Sequence, residues 1–344
     1  MHRETIRVGL IGAGRNMKNR HIPGLQAIAG VEIVGVANRS RASSEAVVRE
    51  FGLGQAYDSW EALLADPQID AVVIGTWPYM HATLTLAALA AGKHVLCEAR
   101  MARNVAEARA MVEAALAKPT LVAQLVPSPF TLRVDAKVQQ LLADGYLGDV
   151  LAVEVRDGGE FIDPDASFHW RHSFEYSGYN IMHLGIWYES CLRWLGGVTH
   201  VTAMGQTFVK MRRDAAGLLQ AVRIPDHLDV IARMACGAQM HLQISSVTGL
   251  ASGLGIHLFG SAGTLYVTPE QQLYGGRRGD NRLAEIDIPP ELQGEWRVEA
   301  EFIGAIRGEE PVRYTTFADG LQYMEFTEAV SRSLLTGQTV ALPL

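Results

Sequence analysis

The chain lacks the features that most quickly assign a protein to a specialised class. Its 344 residues include only three cysteines, Cys97, Cys191 and Cys236, which are far apart and form no Cys-x-x-Cys pair. This excludes a disulfide framework and indicates reduced thiols in a cytoplasmic protein. Uninterrupted apolar runs of about 18 residues are missing, so we expect no membrane-spanning helix. No long apolar stretch precedes a cleavage site near the N-terminus, so we expect no signal peptide.

An excess of positive charge is also missing. The 30 Lys and Arg residues are outnumbered by 37 Asp and Glu residues, which gives a net charge of −7. Such a chain has no basic field to attract phosphate groups, so we expect it to bind neither nucleic acid nor an anionic membrane. Internal repeats are absent as well. A chain of 344 residues is too long for one ordinary core, which predicts two domains.

The first third of the chain alternates short apolar runs with amphipathic segments. The runs are IRVGLIGAG, VEIVGVANRS, AVVIGTW, HVLCEA and TLVAQLV. Apolar strands that alternate with helices predict βαβ units around a parallel sheet buried on both faces. We therefore predict an α/β Rossmann domain for residues 1–124.

The pattern changes after residue 124. Helical segments, one of them near residues 178–195, are mixed with long strand-like runs such as AQMHLQISSV. This mixture predicts an α+β domain with a large, mostly antiparallel open sheet over residues 125–344. We expect this domain to bind the substrate. Helices on one side only would leave an apolar sheet face open for assembly into an oligomer.

A glycine-rich turn closes the first predicted strand. Gly12 and Gly14 precede a predicted helix, and Arg15 follows them directly. Glycines let backbone N–H groups approach a pyrophosphate, and a helix N-terminus supplies favourable partial charge, so the turn predicts dinucleotide binding. The third glycine or alanine of the usual fingerprint is replaced by Met17, which is a departure from the pattern.

The end of the second strand indicates which dinucleotide is bound. An NAD enzyme usually has Asp or Glu here to accept from the ribose 2′-hydroxyl. This chain has Asn38, Arg39, Ser40 and Arg41 instead. Two guanidiniums and a hydroxyl favour a 2′-phosphate, so we predict NADP as the cofactor, with NAD as the alternative. The two arginines could also be solvated residues at the start of a helix.

Longer segments resemble the Gfo/Idh/MocA oxidoreductases, a family of sugar, polyol and dihydrodiol dehydrogenases. They include VGLIGAG followed by a histidine, AVVIGTWPYMHATLTLAALAAGKHVLCE, VQQLLADGYLGDVLAVEV and LFGSAGTLYV, in the family's order. The resemblance implies a Rossmann domain and a second domain whose sheet is one wall of the substrate site and often an oligomer interface. We therefore expect a homodimer or homotetramer. The resemblance also implies a cofactor site that includes Thr76, Trp77, Glu98 and His81, the last near the nicotinamide.

The usual catalytic positions of this family do not match. The family reads Glu-Lys-Pro where this chain has Glu98, Ala99 and Arg100. In the second family motif, the aspartate position is His183 and the catalytic histidine position is Trp187. Hydride transfer from an alcohol needs a base for the hydroxyl proton, which neither alanine nor tryptophan can supply. The resemblance therefore implies a displaced acid/base.

His183 is the main candidate for this displaced acid/base. Helical spacing would place Tyr179, Asn180, His183 and Trp187 on one face, and the family alignment turns that face toward the nicotinamide. Histidine ordinarily titrates near neutral pH, which suits proton transfer. Tyr176 and Tyr179 are alternative catalytic candidates, as proton relays. His183 could instead only hydrogen-bond the substrate, or be satisfied by a neighbour in the core.

Several further side chains are candidates for substrate binding. The segment FHWRHSFEYSGYN is rich in His, Arg and Tyr, and Arg171 within it could bind a carboxylate or a phosphate. Arg100 could pair with Glu98 or hold an anionic substrate, although a guanidinium does not serve as a base. His169 and His172 lack a clear third ligand, so we expect no metal. The predicted substrate-binding residues are Arg100, His169, Arg171, Asn180 and Trp187.

These features together predict an NAD(P)-dependent oxidoreductase that acts by hydride transfer on a small hydroxylated substrate, such as a sugar, polyol, sugar acid or dihydrodiol. One alternative is a cofactor-retaining lyase, hydrolase or isomerase on the same scaffold, which would oxidise its substrate only transiently. Another is a cofactor-binding pseudo-enzyme. The dense cluster of His, Tyr and Arg side chains argues against the latter, because an inactive site has no need of them.

Overall fold

The structure, a computed structural model, describes residues 5–344 and contains two compact units. The first unit contains the described residues up to Pro127 together with Arg297–Leu321. The second contains Ser128–Trp296 and Gln322–Leu344. The sequence predicts a single boundary after residue 124, so the return of Arg297–Leu321 to the first unit is a difference from that prediction.

Hydrogen bonds explain why this late segment belongs to the first unit. The side-chain amide of Gln124 donates to Glu301 Oε1 and to the carbonyl of Tyr314, both at 2.9 Å. The backbone N–H of Leu125 donates to the carbonyl of Thr315 at 2.9 Å. Gln124 is separated from these two partners by 177 and 190 residues, so no local pattern in the sequence could indicate the connection.

Six parallel strands form the sheet of the first unit. They are β1 (Ile6–Ile11), β2 (Val31–Ala37), β3 (Gln55–Ala56), β4 (Ala71–Ile74), β5 (His94–Cys97) and β6 (Ala123–Leu125). The helices between them are α1 (Ile22–Gln26), α2 (Arg41–Phe51), α3 (Trp60–Ala65), α4 (Pro78–Ala90) and α5 (Val105–Leu116), with a π-helical turn at Met17–His21. The spatial order is β3-β2-β1-β4-β5-β6, and every residue of β4 is buried, which confirms the predicted Rossmann architecture.

The C-terminal ends of four strands meet at one edge of this sheet. Ile11 at the end of β1 pairs with Ala37 of β2 and with Ile74 of β4, and Ile74 pairs with Cys97 of β5. The loops that follow these strands therefore begin side by side, where parallel sheets usually bind ligands. The cofactor-binding candidates Gly12, Asn38, Thr76 and Glu98 follow these four strands.

The second unit contains a nine-stranded sheet and a separate two-stranded sheet. Its strands are β7 (Val150–Gly159), β8 (Val198–Gln206), β9 (Met211–Arg213), β10 (Leu219–Ala221), β11 (His227–Met234), β12 (Gln239–Gly249), β13 (Gly255–Gly260), β14 (Gly263–Val267), β15 (Leu273–Arg277), β16 (Ala284–Glu285) and β17 (Val340–Ala341). The large sheet has the order β16-β15-β14-β13-β7-β12-β11-β8-β17, and β9 pairs with β10. All pairs except β7 with β12 are antiparallel, which confirms the prediction of a large, mostly antiparallel sheet.

Strand β11 shows why these sequences form a sheet with one covered face. Leu228, Val230, Ala232 and Met234 are buried and alternate with residues that are partly or fully exposed. Successive side chains of a strand point to opposite faces of the sheet. The apolar residues of β11 therefore all face the core, and the residues between them face away from it.

The remaining helices follow in chain order. They are α6 (Leu132–Ala143), α7 (Phe174–Ser177), α8 (Leu184–Leu195), α9 (Val298–Arg307) and α10 (Phe317–Thr336), with 3₁₀ turns at Trp170–His172 and Pro290–Leu292. Tyr188 of α8 stacks on Phe326 of α10 in the core of the second unit, with ring centroids 3.8 Å apart. Within residues 5–344, no helix combines the length and apolar character needed to cross a membrane.

The helix predicted near residues 178–195 is shorter than expected. It begins at Leu184, and Gly178 ends the preceding short helix α7 with a φ of 63°. Met182 also has a positive φ, of 39°, which no helical residue adopts. Tyr179 and Asn180 therefore lie outside α8, and the predicted one-face arrangement with His183 and Trp187 is wrong.

Candidate active site

The glycine turn after β1 packs closely against the Thr76 loop at Gly12 and is open at Gly14. Gly12 has a φ of 83°, and a Cβ placed on it would lie 2.8 Å from the backbone nitrogen of Thr76. The neighbouring Gly14 is exposed, and the nearest atom to a Cβ placed there is a carbonyl oxygen at 3.9 Å. Arg15 is exposed beside them. This open backbone at the strand ends fits the phosphates of a dinucleotide.

Met17, the departure from the glycine fingerprint, is accommodated by a second glycine. Its side chain is 1% exposed, and a Cβ on Gly75 would lie 2.8 Å from Met17 Cε. In the usual fingerprint the third glycine allows close packing of helix against strand. Here the bulk of Met17 fills space that Gly75 leaves, so the turn keeps its shape.

Several side chains in the loop after β2 already form hydrogen bonds or ion pairs within the protein. Asn38 Oδ1 accepts a hydrogen bond from the backbone N–H of Ala13 at 2.7 Å, which ties this loop to the glycine turn. The Ser40 hydroxyl caps α2 by accepting from the N–H of Ser43. Arg41 pairs with acidic side chains, whereas Arg39 is exposed and forms no ion pair with any residue in 5–344.

His81, which the resemblance implies to lie near the nicotinamide, contacts the backbone of two loops at this edge. Its side chain is fully buried, with Nδ1 2.9 Å from the carbonyl oxygen of Arg100 and Nε2 2.9 Å from that of Thr76. Burial lowers the pKa of His81, so the ring is neutral and donates to one of these carbonyls at a time. His81 therefore supports two loops of the site through their backbone, whereas Trp77 is 39% exposed and accessible to a ligand.

A buried chain of ionisable groups lies next to this edge, and the sequence reasoning did not find it. His21 Nδ1 lies 2.6 Å from Glu299 Oε1, and His21 Nε2 lies 3.0 Å from Glu98 Oε1. Asn16 donates to the same oxygen of Glu98. The histidine was visible in the sequence as the residue that follows the glycine turn in the family pattern. Glu299 gave no signal, because it is 278 residues away.

The charges of His21 and Glu98 in this buried cluster can be assigned from their hydrogen bonds. Burial alone would lower the pKa of His21, but hydrogen bonds to Glu299 and Glu98 outweigh it and raise the pKa to about 9. Burial would raise the pKa of Glu98, but the hydrogen bond and charge of His21 outweigh burial and lower it. His21 is therefore an imidazolium at neutral pH, and it keeps Glu98 ionised.

Ala99 and Arg100 occupy the positions of the family's lysine and proline. The backbone N–H of Ala99 donates to Glu98 Oε2 at 3.2 Å, and the peptide bond between Ala99 and Arg100 is cis. Arg100 is 3% exposed. The proposed role of Arg100 in substrate binding therefore finds no support in its accessibility, because a ligand would have to displace the residues that cover it.

In the second unit, His183 lies at the wall of a cavity of about 340 Å³. Its Nδ1 is 2.9 Å from Oδ2 of Asp157, which lies near the end of β7. A carboxylate only accepts, so Nδ1 carries the proton and Nε2 of the neutral ring has a free electron pair. The His183 side chain is 49% exposed, and Phe130 contacts its ring edge-on at 5.6 Å between centroids. This is the geometry of a base that a carboxylate orients.

Two more histidines line the same cavity: His172 belongs to the 3₁₀ turn, and His169 is the N-cap of that turn. The backbone N–H of His169 donates to His172 Nδ1 at 3.0 Å, and the N–H of Arg171 donates to His169 Nδ1 at 3.3 Å. Burial and the nearby Arg212 lower the pKa of His172 to about 4. Arg171 stacks over the ring of Trp170 at 4.3 Å. The cavity also contains Asp157, Glu160, Arg212, Asp226, Ser245 and Ser246.

The cavity brings together only part of the predicted set. His183, His169 and Arg171 line it, whereas Tyr176, Tyr179, Asn180 and Trp187 do not. The Tyr179 ring packs on Phe174 at 5.2 Å, the Asn180 amide donates to the carbonyl of Ser177, and Trp187 is buried against Phe130. Because α7 ends at Ser177 and α8 begins only at Leu184, Tyr179 and Asn180 do not belong to the helix that carries Trp187. No group of three or more His, Cys, Asp or Glu residues in 5–344 is arranged to hold a metal ion.

Comparison with known proteins gives matches in both units. A family described as oxidoreductases with an NAD-binding Rossmann fold matches residues 6–124, and the Gfo/Idh/MocA C-terminal domain matches residues 136–266. Trans-1,2-dihydrobenzene-1,2-diol dehydrogenase of Sus scrofa is 32% identical over 167 residues, 48% of each chain. 1,5-Anhydro-D-fructose reductase of Ensifer adhaerens is 41% identical over 109 residues, 32% of each chain.

Solved structures share the fold over nearly the whole chain. An NAD binding oxidoreductase from Klebsiella pneumoniae has a TM-score of 0.85 and 24% identity, and covers 99% of this chain and 100% of its own. Levoglucosan dehydrogenase in complex with NADH and L-sorbose has a TM-score of 0.87 and 22% identity, and covers 98% and 99%. The alignments with curated relatives are shorter. The chain spans about half the length of the curated relatives it matches. Because models of one family match most of both units, the chain belongs to the Gfo/Idh/MocA oxidoreductases.

Proposed function

We propose that the protein is an NAD(P)-dependent oxidoreductase of a small hydroxylated substrate and that His183 is its acid/base. The observation that carries this proposal is the hydrogen bond between His183 and Asp157 at the wall of the cavity. His183 would supply the base in this chain, where the family's catalytic lysine and histidine positions hold Ala99 and Trp187. The relatives named as dihydrodiol dehydrogenase and anhydrofructose reductase support the same class of chemistry.

The roles of the protein groups follow from their protonation. A nicotinamide cofactor, when bound, accepts or returns a hydride. His183 Nε2 takes the proton of the substrate hydroxyl during oxidation and returns it during reduction. Asp157 fixes the ring so that Nε2 is the free nitrogen, and its charge stabilises the imidazolium that forms. In the other unit, Gly12 would leave the backbone open to the cofactor phosphates, and anionic Glu98 accepts hydrogen bonds at the same sheet edge.

The proposed cofactor is NADP in preference to NAD. Asn38 stands where a carboxylate would accept from the 2′-hydroxyl, and its side chain is committed to the glycine turn. Arg39 is exposed, and its charge is not paired with any carboxylate in residues 5–344. A guanidinium in this position is suited to a 2′-phosphate. Ser40 supports the loop as the cap of α2.

We also propose a cytoplasmic homodimer or homotetramer. The three cysteines are free thiols, which suits a reducing compartment. On the large sheet, Met204 and Ile231 lie on the face that points away from the core and are 79% and 53% exposed. A second copy of the chain packed on this face would remove that apolar surface from water. Light scattering at micromolar concentration tests the assembly, and a monomer there would count against it.

Turnover with both cofactors tests the proposed activity. Sugars, polyols, sugar acids and dihydrodiols are screened while the absorbance of the reduced nicotinamide is followed. His183→Ala should lower kcat by about 10²-fold or more, the usual cost of losing an acid/base. His183→Asn should be nearly as damaging, whereas His200→Asn, a change of an exposed histidine on β8, should not. A wild-type rate in His183→Ala would remove His183 from the mechanism, and product formed without net absorbance change would indicate a cofactor-retaining enzyme.

A further inference from the structure

We infer that the cavity beside His183 contains a subsite for a carboxylate of the substrate, so that the substrate is a small hydroxy acid, such as a sugar acid, and not a neutral polyol. This inference rests on the proposed function, because it assigns the substrate class of the same cavity. It is carried by Arg212, His172 and His169, which line the cavity together with His183.

Arg212 is a buried cation that has no counter-ion among residues 5–344. Its side chain is 7% exposed, and its Nη1 donates to the carbonyls of Asp163 and Ala166, both at 2.8 Å. No carboxylate oxygen in residues 5–344 lies within 4.0 Å of its nitrogens. A buried charge is costly unless it is paired and hydrogen-bonded. The nitrogens other than Nη1 are therefore available to an anion that occupies the cavity.

His172 of the 3₁₀ turn and His169, the N-cap of that turn, add donors and not bases. In each, Nδ1 accepts from a backbone N–H, and a backbone N–H can only donate. The neutral ring therefore carries its proton on Nε2. Burial and Arg212 lower the pKa of His172 to about 4, and burial and Arg171 lower that of His169, so both rings are neutral at pH 7. This is the opposite tautomer from His183, where Nδ1 donates to a carboxylate.

The acidic groups of the cavity favour a single negative charge on the ligand. Asp226 also lines the cavity, but its carboxylate accepts from the N–H groups of Phe208 at 2.9 Å and Val209 at 3.1 Å. Asp157 is committed to His183, and Glu160 is exposed at the edge. Of the two guanidiniums in the lining, that of Arg171 stacks on Trp170. The Arg212 guanidinium and two neutral donors close to these carboxylates suit a monoanionic carboxylate better than a dianionic phosphate.

The size of the cavity limits the rest of the molecule. A volume of about 340 Å³ is at the lower end of the range for ligand pockets, about 300–1,000 Å³. Apolar side chains such as Ile162, Met182 and Ile244 form part of the wall, and Ser245 and Ser246 offer hydroxyl groups along β12. The cavity therefore suits a short hydroxylated chain that presents a hydroxyl to His183 and a carboxylate to Arg212.

Matched pairs of compounds test this inference. Threonate, xylonate, gluconate and galactonate are compared with threitol, xylitol, sorbitol and galactitol, and sorbitol 6-phosphate represents the dianion. Both kcat/KM and calorimetric binding to the cofactor-loaded protein are recorded. We expect at least one acid to exceed its polyol by about 10-fold or more, since a hydrogen bond to a charged group contributes about 1.5–3 kcal/mol. No acid preferred over its polyol, or a preference for the phosphate, would overturn the carboxylate subsite.

Two variants and a matched control assign the preference to residues. Arg212→Gln should reduce the acid-to-polyol ratio of kcat/KM by about 10- to 100-fold. His172→Phe, which keeps ring contact with Phe168 but loses the donor, should reduce it to a smaller extent. Arg213→Gln removes the neighbouring arginine of β9, whose exposed side chain donates to the carbonyl of Gly217, and should leave the ratio unchanged. A ratio that persists in both Arg212→Gln and His172→Phe refutes the assignment, even if one variant folds poorly.

The two readouts separate this inference from the proposed function. Arg212-dependent binding of an acid without any change in reduced nicotinamide supports the subsite and rejects the proposed oxidoreductase. Polyols oxidised with His183-dependent rates, and no acid preferred, support the proposed function and reject the subsite.

Discussion

Removal of His21 should change how the stability of the first unit depends on pH. The fully buried imidazolium lies between Glu299 and Glu98, at 2.6 and 3.0 Å. His21→Gln keeps a side chain of similar length that can hydrogen-bond but cannot carry the charge. The variant removes the cation that lies between the carboxylates of Glu98 and Glu299, which is costly for buried groups.

The magnitude follows from the pKa of His21. It rises from an ordinary value of 6.5 to about 9 in the folded protein. Each pH unit corresponds to about 1.4 kcal/mol, so the charge contributes on the order of 3 kcal/mol to the free energy of unfolding. Because the folded pKa is raised, this contribution is fully present below pH 6.5 and is lost as pH rises through 9. It vanishes once the histidine is neutral in both states.

Calorimetric unfolding of wild type and His21→Gln between pH 6 and 10 measures this effect. For a unit of roughly 150 residues, 3 kcal/mol corresponds to about 6–12 °C in Tm. The gap between the two proteins should be largest at pH 6 and should shrink by about that amount toward pH 10. His200→Gln, on the exposed surface of β8, serves as the control and should show no such change. A gap that is constant with pH would refute the assignment of the charge to His21.

Three further predictions concern the cofactor and the base. Arg39→Ala should raise the Kd of NADP by about 10-fold and that of NAD much less, and equal weakening in fluorescence titrations would contradict the 2′-phosphate role. Gly12→Ala forces a Cβ against the backbone of the neighbouring loop and should raise the Kd of either cofactor by about 10-fold or more, whereas Gly52→Ala, at a similar positive φ but with open space around it, should not. Asp157→Asn should lower kcat by about 10- to 100-fold with little change in cofactor binding, because the amide no longer stabilises the imidazolium form of His183. An unchanged kcat would show that the carboxylate is only structural.

The sequence allowed the fold to be predicted because apolar runs report directly on buried strands. The runs IRVGLIGAG and HVLCEA are short and continuous, and they form β1 and β5, each of which has a neighbouring strand on both sides in the parallel sheet. The alternation in β11 reports on a half-covered sheet in the same way. The break between α7 and α8 was not predicted, because positive φ values at Gly178 and Met182 produce it and the sequence there is also compatible with a longer helix.

The candidate site could be predicted only where its residues are neighbours in sequence. His183 was found because it stands one helical turn before Trp187. Asp157, its hydrogen-bonding partner, is 26 residues earlier and is brought to it by tertiary packing. Arg212 has no distinguishing sequence context, because its proposed role depends on its burial and on the lack of a nearby carboxylate in residues 5–344. The proton positions on the rings of His169 and His183 could not be predicted from the sequence either, because each depends on one hydrogen bond in the folded protein.

The discontinuity of the first unit determines when this protein can finish folding during synthesis. The bond between His21 and Glu299 joins residues 278 apart, so the ribosome has made most of the chain before it can form. Until then the nascent Rossmann sheet has an incomplete charge cluster and lacks the backbone pairing of Leu125 with Thr315. A contact of such long range is slow to close, because the entropy of the intervening loop must be overcome first. Expression of residues 5–127 alone would therefore give a permanently unfinished domain, and a working fragment needs Arg297–Leu321 joined to it by a linker.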